Sequence, residues 1–190
     1  MRLAEPLEGL AFGLRSPEGD DARFTVALRT DPDVSRFLNR IPGDLPSQRG
    51  WEREALARED DLPLVIFRRT TGAAEGTVGI YRINPATGTA EWGRWALRRG
   101  SIAAVESALL TFQLAFDVLA LHSLYCRTLT GNVRTVSFHD SAGLERTSSG
   151  TVAVNGRAET YIEHLVDSER WPGIRARLQP LAERVARRLQ

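Results

Sequence analysis

The chain has 190 residues, 42% apolar and 26% charged, with a formal net charge of +1. That length suits one domain, residues 1–190, with a full buried core, and the near-zero charge excludes a general attraction to nucleic acid or to a membrane surface. A single cysteine, Cys126, excludes an internal disulfide, and no stretch is apolar enough to span a bilayer or to read as a signal peptide, so a reducing, cytoplasmic location is expected.

Met1 to Gly9 reads as an arm. Leu10 to Arg15 follows as a first strand, closed by the turn residues Ser16-Pro17-Glu18-Gly19. Asp20 to Arg29 is predicted helical, with Phe24, Val26, Ala27 and Leu28 apolar, and Pro46 to Glu59 is a second, more charged helix. Leu62 to Arg69 and Glu75 to Ile83 are strands joined by the Thr70-Thr71-Gly72 turn, and Asn84 to Gly88 turns the chain into a central strand, Thr89 to Leu97. After Arg98-Arg99-Gly100-Ser101, the residues Ile102, Val105, Leu109, Phe112, Phe116 and Leu119 alternate at spacings of three and four, the stripe of a long helix. Ser123 to Leu129 is the next strand, and Asn132 is the N-cap of a shorter helix. Thr147 to Gly150 leads to a last hairpin with Asn155-Gly156 as its turn and Glu159 to Val166 as its second strand. Residues 170–190 read as an amphipathic helix interrupted by Pro180. Its arginine-rich side is a solvated face, with a homodimer contact or an acceptor wall as the rival readings. The elements compose a twisted, mostly antiparallel α+β sheet with helices on both faces. A helix that crosses between neighbouring parallel strands presents free backbone N–H groups at its first turn, which suits phosphates.

The stretch from Trp92 to Leu144 carries a more specific pattern. Glu91-Trp92-Gly93 lies in the central strand, Arg99-Gly100-Ser101-Ile102-Ala103-Ala104 opens a helix, Ala115 to His122 closes it, and Asn132, His139 and Gly143-Leu144 follow in order. This set resembles the GNAT superfamily of acyl-CoA-dependent N-acyltransferases, in particular the branch of ribosomal-protein N-terminal and amino-sugar acetyltransferases. Ile102 departs from the pattern, standing where the family usually has glycine. A β-branched residue keeps ordinary dihedrals there, and its N–H stays available.

The resemblance implies a splayed parallel strand pair and acetyl-CoA, or another acyl-CoA, as the donor. It places the backbone of Trp95, Ala96 and Leu97 along the pantetheine arm. The turn of Arg98, Arg99, Gly100, Ser101, Ile102, Ala103 and Ala104 would lie at the pyrophosphate, with Asn132 and Arg134 as further cofactor contacts. Glu91 is the candidate general base, because strand alternation sets it beside Gly93 and Trp95 on one face. The competing reading pairs Glu91 with one of the many arginines. His139 stands in the slot where relatives carry the tyrosine that protonates the departing thiolate, and an ordinary imidazolium would serve there near neutrality.

Arg29 to Val34 resembles an R-N-D-P-x-V element that joins two short helices on the acceptor side, Ser35 to Ile41 being the second. Arg36, Phe37, Trp51, Tyr81 and Trp92 are assigned to the acceptor wall. Trp51, Trp92 and Trp95 point to a narrow aromatic cleft and so to a small-molecule amine such as an amino sugar or sugar nucleotide. A protein N-terminus is the alternative within the class, and a non-catalytic acyl-CoA-binding module the alternative outside it. No Cys/His/carboxylate spacing reads as a metal site, and His122, His164 and Cys126 read as structural.

Overall fold

The computed structural model describes residues 1–189. Leu7–Glu8 (β1), Phe12–Arg15 (β2), Asp61–Arg68 (β3), Ala74–Asn84 (β4) and Thr89–Leu97 (β5) run antiparallel to one another in that order. Ser123–Leu129 (β6) pairs parallel with β5, and Glu145–Val154 (β7) and Arg157–Asp167 (β8) complete one eight-stranded sheet in the order β1-β2-β3-β4-β5-β6-β8-β7. The unbroken apolar run of β3 is explained by burial on both faces, since every residue from Asp61 to Phe67 is buried. Asp21–Thr30 (α1), Pro32–Ser35 (α2) and Leu45–Ala57 (α3) lie on one face. Ala104–Gln113 (α4), Val133–Ala142 (α5) and Trp171–Arg187 (α6) lie on the other.

Two irregularities in β5 shape everything that follows. Its parallel pairing with β6 covers only Thr89↔Ser123, Ala90↔Leu124 and Glu91↔Tyr125, after which the strands part. Its pairing with β4 steps from Gly79↔Gly93 to Thr77↔Ala96, so β5 carries one extra residue there. That bulge centres on Arg94, which has a left-handed φ of 52° and whose carbonyl accepts a hydrogen bond from Thr77 Oγ1 at 3.0 Å.

Several elements differ from their sequence reading, each for a tertiary reason. Ser35 to Ile41 is not a helix. Asp31 and Pro32 start α2, which stops at Ser35, and Asn155 of the β7–β8 turn then captures the chain. Its Nδ2 donates to Leu38 O at 3.2 Å, and its Oδ1 accepts from Arg40 N–H at 2.7 Å. The long helix begins at Ala104, leaving Ile102 41% exposed, and its last turn, Leu114–Val118, is a π-helix in which Leu119 N–H donates to Leu114 O at 2.9 Å. There Asp117 accepts from Trp171 Nε1 at 2.9 Å and pairs with Arg175, docking α6. Helix α6 runs through Pro180, because Ile174, Leu178, Ala182 and Ala186 are buried on either side of it and hold both halves in line. Thr147 to Gly150 lies inside β7, paired along β8, rather than ahead of the hairpin.

Candidate active site

The turn between β5 and α4 has the makings of an anion site. Gly100 supplies the left-handed φ of 77° that the turn requires, and Ile102 keeps ordinary dihedrals, as expected. Helix α4 has no side-chain N-cap, and among the described residues the amides of Gly100 and Ile102 find no acceptor. Free N–H groups at the positive end of a helix dipole fit a pyrophosphate. The two arginines are less free than the sequence reading assumed. Arg98 donates to the buried Glu75 carboxylate at 2.9 Å, beside Arg68, whereas Arg99 makes only an exposed pair with Asp33 at 2.6 Å. Arg98 is therefore a latch on the sheet, and Arg99 can exchange its partner at little cost. Arg134 is exposed in the first turn of α5, and Asn132 caps that helix by accepting from Thr135 N–H at 3.4 Å.

The bulge at Arg94 decides which face each neighbour takes. Glu91, Gly93 and Arg94 face α1 and α3. Trp92 and Trp95 share the opposite face, their rings 5.5 Å apart. Trp92 is 1% exposed and packs edge-on against Phe112, while Trp95 Nε1 donates to Ser107 Oγ of α4 at 3.1 Å. The expected alignment of Glu91 with Trp95 thus fails, because the extra residue flips the pleat. Trp92 and Trp95 line the gap between β5 and β6 and not the larger cavity. Of the three tryptophans, only Trp51 borders the larger cavity on the α1–α3 face.

That cavity has a volume of about 580 Å³. Tyr81, Phe37 and Trp51 line it as expected, whereas Arg36 lies outside it with its guanidinium over the Phe37 ring. Glu91 sits in its wall, 7% exposed, accepting from Tyr81 Oη at 3.2 Å and from Arg82 Nη1 at 2.6 Å. The ion-paired reading of Glu91 is the observed one. Gly93 makes this possible, since a Cβ there would stand 2.5 Å from the Tyr81 hydroxyl. Burial and the Glu91 charge push the Tyr81 phenol well above its ordinary value, so it remains a hydrogen-bond donor. Arg94 bonds Asp61 with both terminal nitrogens, at 2.6 and 3.0 Å, and stacks between Tyr81 and Trp51.

The smaller gap between β5 and β6 is lined by Trp92, Trp95, Cys126, Thr128, Asn132 and His139. Gly93, Arg94, Phe37, Leu38, Arg127 and Leu129 line both this gap and the larger cavity, so the two meet at the bulge of β5. His139 is 2% exposed, and burial pushes its imidazole down to about 3, with the neighbouring His164 adding to the shift. The ring is neutral at pH 7, and the imidazolium acid expected from the sequence does not exist in this environment. Its Nδ1 lies 3.6 Å from Cys126 Sγ and 3.4 Å from Thr128 Oγ1, both able to donate. Accepting there leaves the proton on Nε2, which has no partner among the described residues. Cys126, His139 and His164 bring one donor atom each within 4.8 Å of one another, a cluster that linear spacing hid. The Cys126 thiol is pushed up to about 12 by burial, and His164 bonds Asp140 at 3.1 Å.

Arg29, Asp61, Arg82, Arg94 and Asn155 were all missed as site residues in the sequence. Only Arg29 carried a signal, as the first residue of the R-T-D-P-D-V element.

A mixed sheet with one splayed parallel pair, and an uncapped helix rising from the strand before the splay, define an acetyltransferase scaffold. The family model described as an acetyltransferase (GNAT) domain matches residues 12–145, and the chain belongs to that family. A search by sequence among curated proteins found no match. Among solved structures, apo FdhC, described as a nucleotide-linked sugar GNAT, is 26% identical with a TM-score of 0.76, over 90% of this chain and 94% of that one. A GCN5-related N-acetyltransferase from Brucella melitensis is 21% identical with a TM-score of 0.79, over 93% of this chain and 84% of that one. Spermidine N-acetyltransferase from Vibrio cholerae, in complex with CoA and spermine, is 16% identical with a TM-score of 0.77, over 86% and 99%. Among the described residues no helix is long and apolar enough to cross a membrane.

Proposed function

We propose that the protein is an acetyl-CoA-dependent N-acetyltransferase that acetylates the primary amine of a small molecule by direct transfer, an amino sugar or sugar nucleotide being the favoured acceptor. The observation that carries this reading is the meeting of the two cavities at Gly93 and Arg94, two and three residues along β5 from Glu91. The free amides at the start of α4, with Arg99, hold the pyrophosphate, and the edge of β5 that β6 leaves unpaired receives the pantetheine arm. Bound acetyl-CoA supplies an activated thioester carbonyl. Backbone donors of Trp95 to Leu97 polarise its oxygen. Glu91, directly or through a water, accepts a proton from the ammonium so that the nitrogen can attack, and the Tyr81 hydroxyl and Arg82 fix the carboxylate's orientation. Neutral His139 donates an Nε2–H hydrogen bond to the sulfur as its negative charge develops, and the C–S bond breaks to release CoA as the thiol, carrying the proton that the attacking nitrogen sheds as it becomes the amide.

The likeness to FdhC, a nucleotide-linked sugar GNAT, supports the sugar class, and the cavity is large enough for a drug-sized acceptor. Native mass spectrometry of the protein with acetyl-CoA and a panel of amines tests the reading. Acetyl-CoA should bind, and an amino sugar should gain 42 Da, on the order of one acetyl group, at a rate that Glu91→Gln lowers about a hundredfold or more. No binding of acetyl-CoA at millimolar concentration would end the transferase reading.

A further inference from the structure

The charges in the larger cavity do not balance. Five arginines and two glutamates line it. Three of the arginines are matched: Arg82 by Glu91, Arg94 by Asp61 and Arg127 by Glu163. Arg29 and Arg40 have no ion pair among the described residues. Of the two glutamates, Glu91 is already committed, and burial raises Glu52 above its ordinary carboxylate range, while Gln48 Nε2 donates to it at 2.9 Å. Neither carboxylate pairs with Arg29 among the described residues.

Arg29 is the more informative of the two cations. It projects from the last turn of α1, and its one side-chain bond among the described residues runs from Nη2 to the carbonyl of Asn39 at 2.7 Å. Its Nε is buried with no acceptor among the described residues. Burial lowers its pKa from the ordinary guanidinium value, and the positive charge of Arg94 lowers it further. A buried guanidinium donor without a partner is costly, and two like charges facing one cavity add to that cost. The carboxyl end of α1 and one carbonyl offer only partial negative charge in return. A protein keeps such a group where something it binds completes it. The planar fork of a guanidinium matches an oxyanion, and an oxyanion held by arginine makes strong, paired hydrogen bonds.

We propose that Arg29, with Arg40 at the rim, is an oxyanion subsite of the acceptor cavity, so that the acceptor carries a phosphate or a carboxylate as well as its amine. The inference rests on the acceptor cavity being the one assigned above and narrows its substrate class. An amine with an anionic arm would place that arm at Arg29, on α1, and its nitrogen toward Glu91, on β5, since both residues line the cavity. The same charge arrangement disfavours polycations, which would set ammonium groups against unpaired guanidinium groups.

The test uses the full chain saturated with CoA, so that anions cannot report on the α4 turn. Calorimetric titrations with inorganic pyrophosphate and with citrate separate the two sources of oxyanion. At least one should bind the wild type, with affinity at least tenfold weaker in Arg29→Ala and partly recovered in Arg29→Lys. Glucosamine 6-phosphate should likewise be acetylated with a lower KM than glucosamine, a preference lost in Arg29→Ala, if phosphate is the source. Binding of neither anion at 10 mM, roughly the weak limit of calorimetry, or binding unchanged in Arg29→Ala, would overturn the subsite. Circular dichroism of Arg29→Ala identifies a misfolded variant, in which case Arg29→Gln, which keeps length and polarity, replaces it. CoA affinity is measured on the same samples. Its loss would count against the transferase reading, and its persistence beside a silent anion titration would count against Arg29 alone.

Discussion

His139 sits among Trp92, Trp95, Phe138 and His164, with ring centroids 5.0 to 6.3 Å away, and its pKa follows from that company. The folded pKa of about 3 lies below the ordinary 6.5, so the native state refuses a proton that the unfolded chain accepts. The neutral ring's contribution to stability is complete above pH 6.5 and is lost progressively as pH falls toward 3. The loss amounts to up to about 1.4 kcal/mol per pH unit. Denaturant titrations between pH 7 and pH 4 should show that slope in the wild type and a shallower one in His139→Gln. If the Nε2–H group assists the departing sulfur, His139→Phe should also lower kcat by about a hundredfold while leaving acetyl-CoA affinity nearly unchanged. A wild-type kcat in that variant would leave the ring a purely structural role. The residue type and its slot were legible in the sequence. Its protonation was not, because Cys126, Thr128 and His164 reach it from two strands that share no local pattern with α5.

At the scale of elements, the β7–β8 hairpin does more than finish the sheet. Its turn was legible as Asn155-Gly156, and Asn155 takes the left-handed φ of 52° that such a turn requires. What the sequence could not reveal is that the same Asn155 also accepts from Arg40 N–H, donates its side-chain amide to Leu38 O, and donates its backbone N–H to Asn39 Oδ1 at 3.2 Å. These bonds span more than 110 positions and replace the helix that Ser35 to Ile41 was expected to form. They also hold the loop that carries Phe37 and Leu38, which border both cavities. Asn155→Ala removes all the side-chain bonds and strains the turn. It should cost about 1–2 kcal/mol of stability and raise the KM for the acceptor more than it lowers kcat. Steady-state kinetics beside a thermal melt would check both, and an unchanged acceptor KM would free the loop from any role in the site.

Across the whole molecule, β5 is shared property: one face belongs to α1 and α3, the other to α4, and its end to the turn that opens α4. Arg98 and Arg99 divide accordingly, Arg98 to the buried Glu75 between β3 and β5, Arg99 across to Asp33 of α2. Arg99→Ala should weaken acetyl-CoA binding by about 1–3 kcal/mol at nearly constant Tm. Arg98→Ala should lower Tm, since Glu75 then keeps only Arg68 as a charged partner in a buried site. Calorimetry with acetyl-CoA and melting curves on both variants distinguish the two roles. Equal effects on binding and on melting would make the arginines equivalent.

The sequence by itself determined what repeats locally. Strand alternation and helical spacing placed β5 and β6 at their observed bounds, Asn132 and Gly143 marked the ends of α5, and the order of motifs from Glu91 to Gly143 identified the scaffold. Tertiary structure alone decided the rest. One extra residue at Arg94, created by the register between β4 and β5, turned Trp95 away from Glu91 and Arg94 toward the larger cavity. Ion pairing chose Arg82 for Glu91 and Asp61 for Arg94, and left Arg29 with none. Periodicity is a property of neighbours along the chain, readable from a few residues. Bulges, pairing and burial are properties of neighbours in space, and those exist only once the sheet has closed around them.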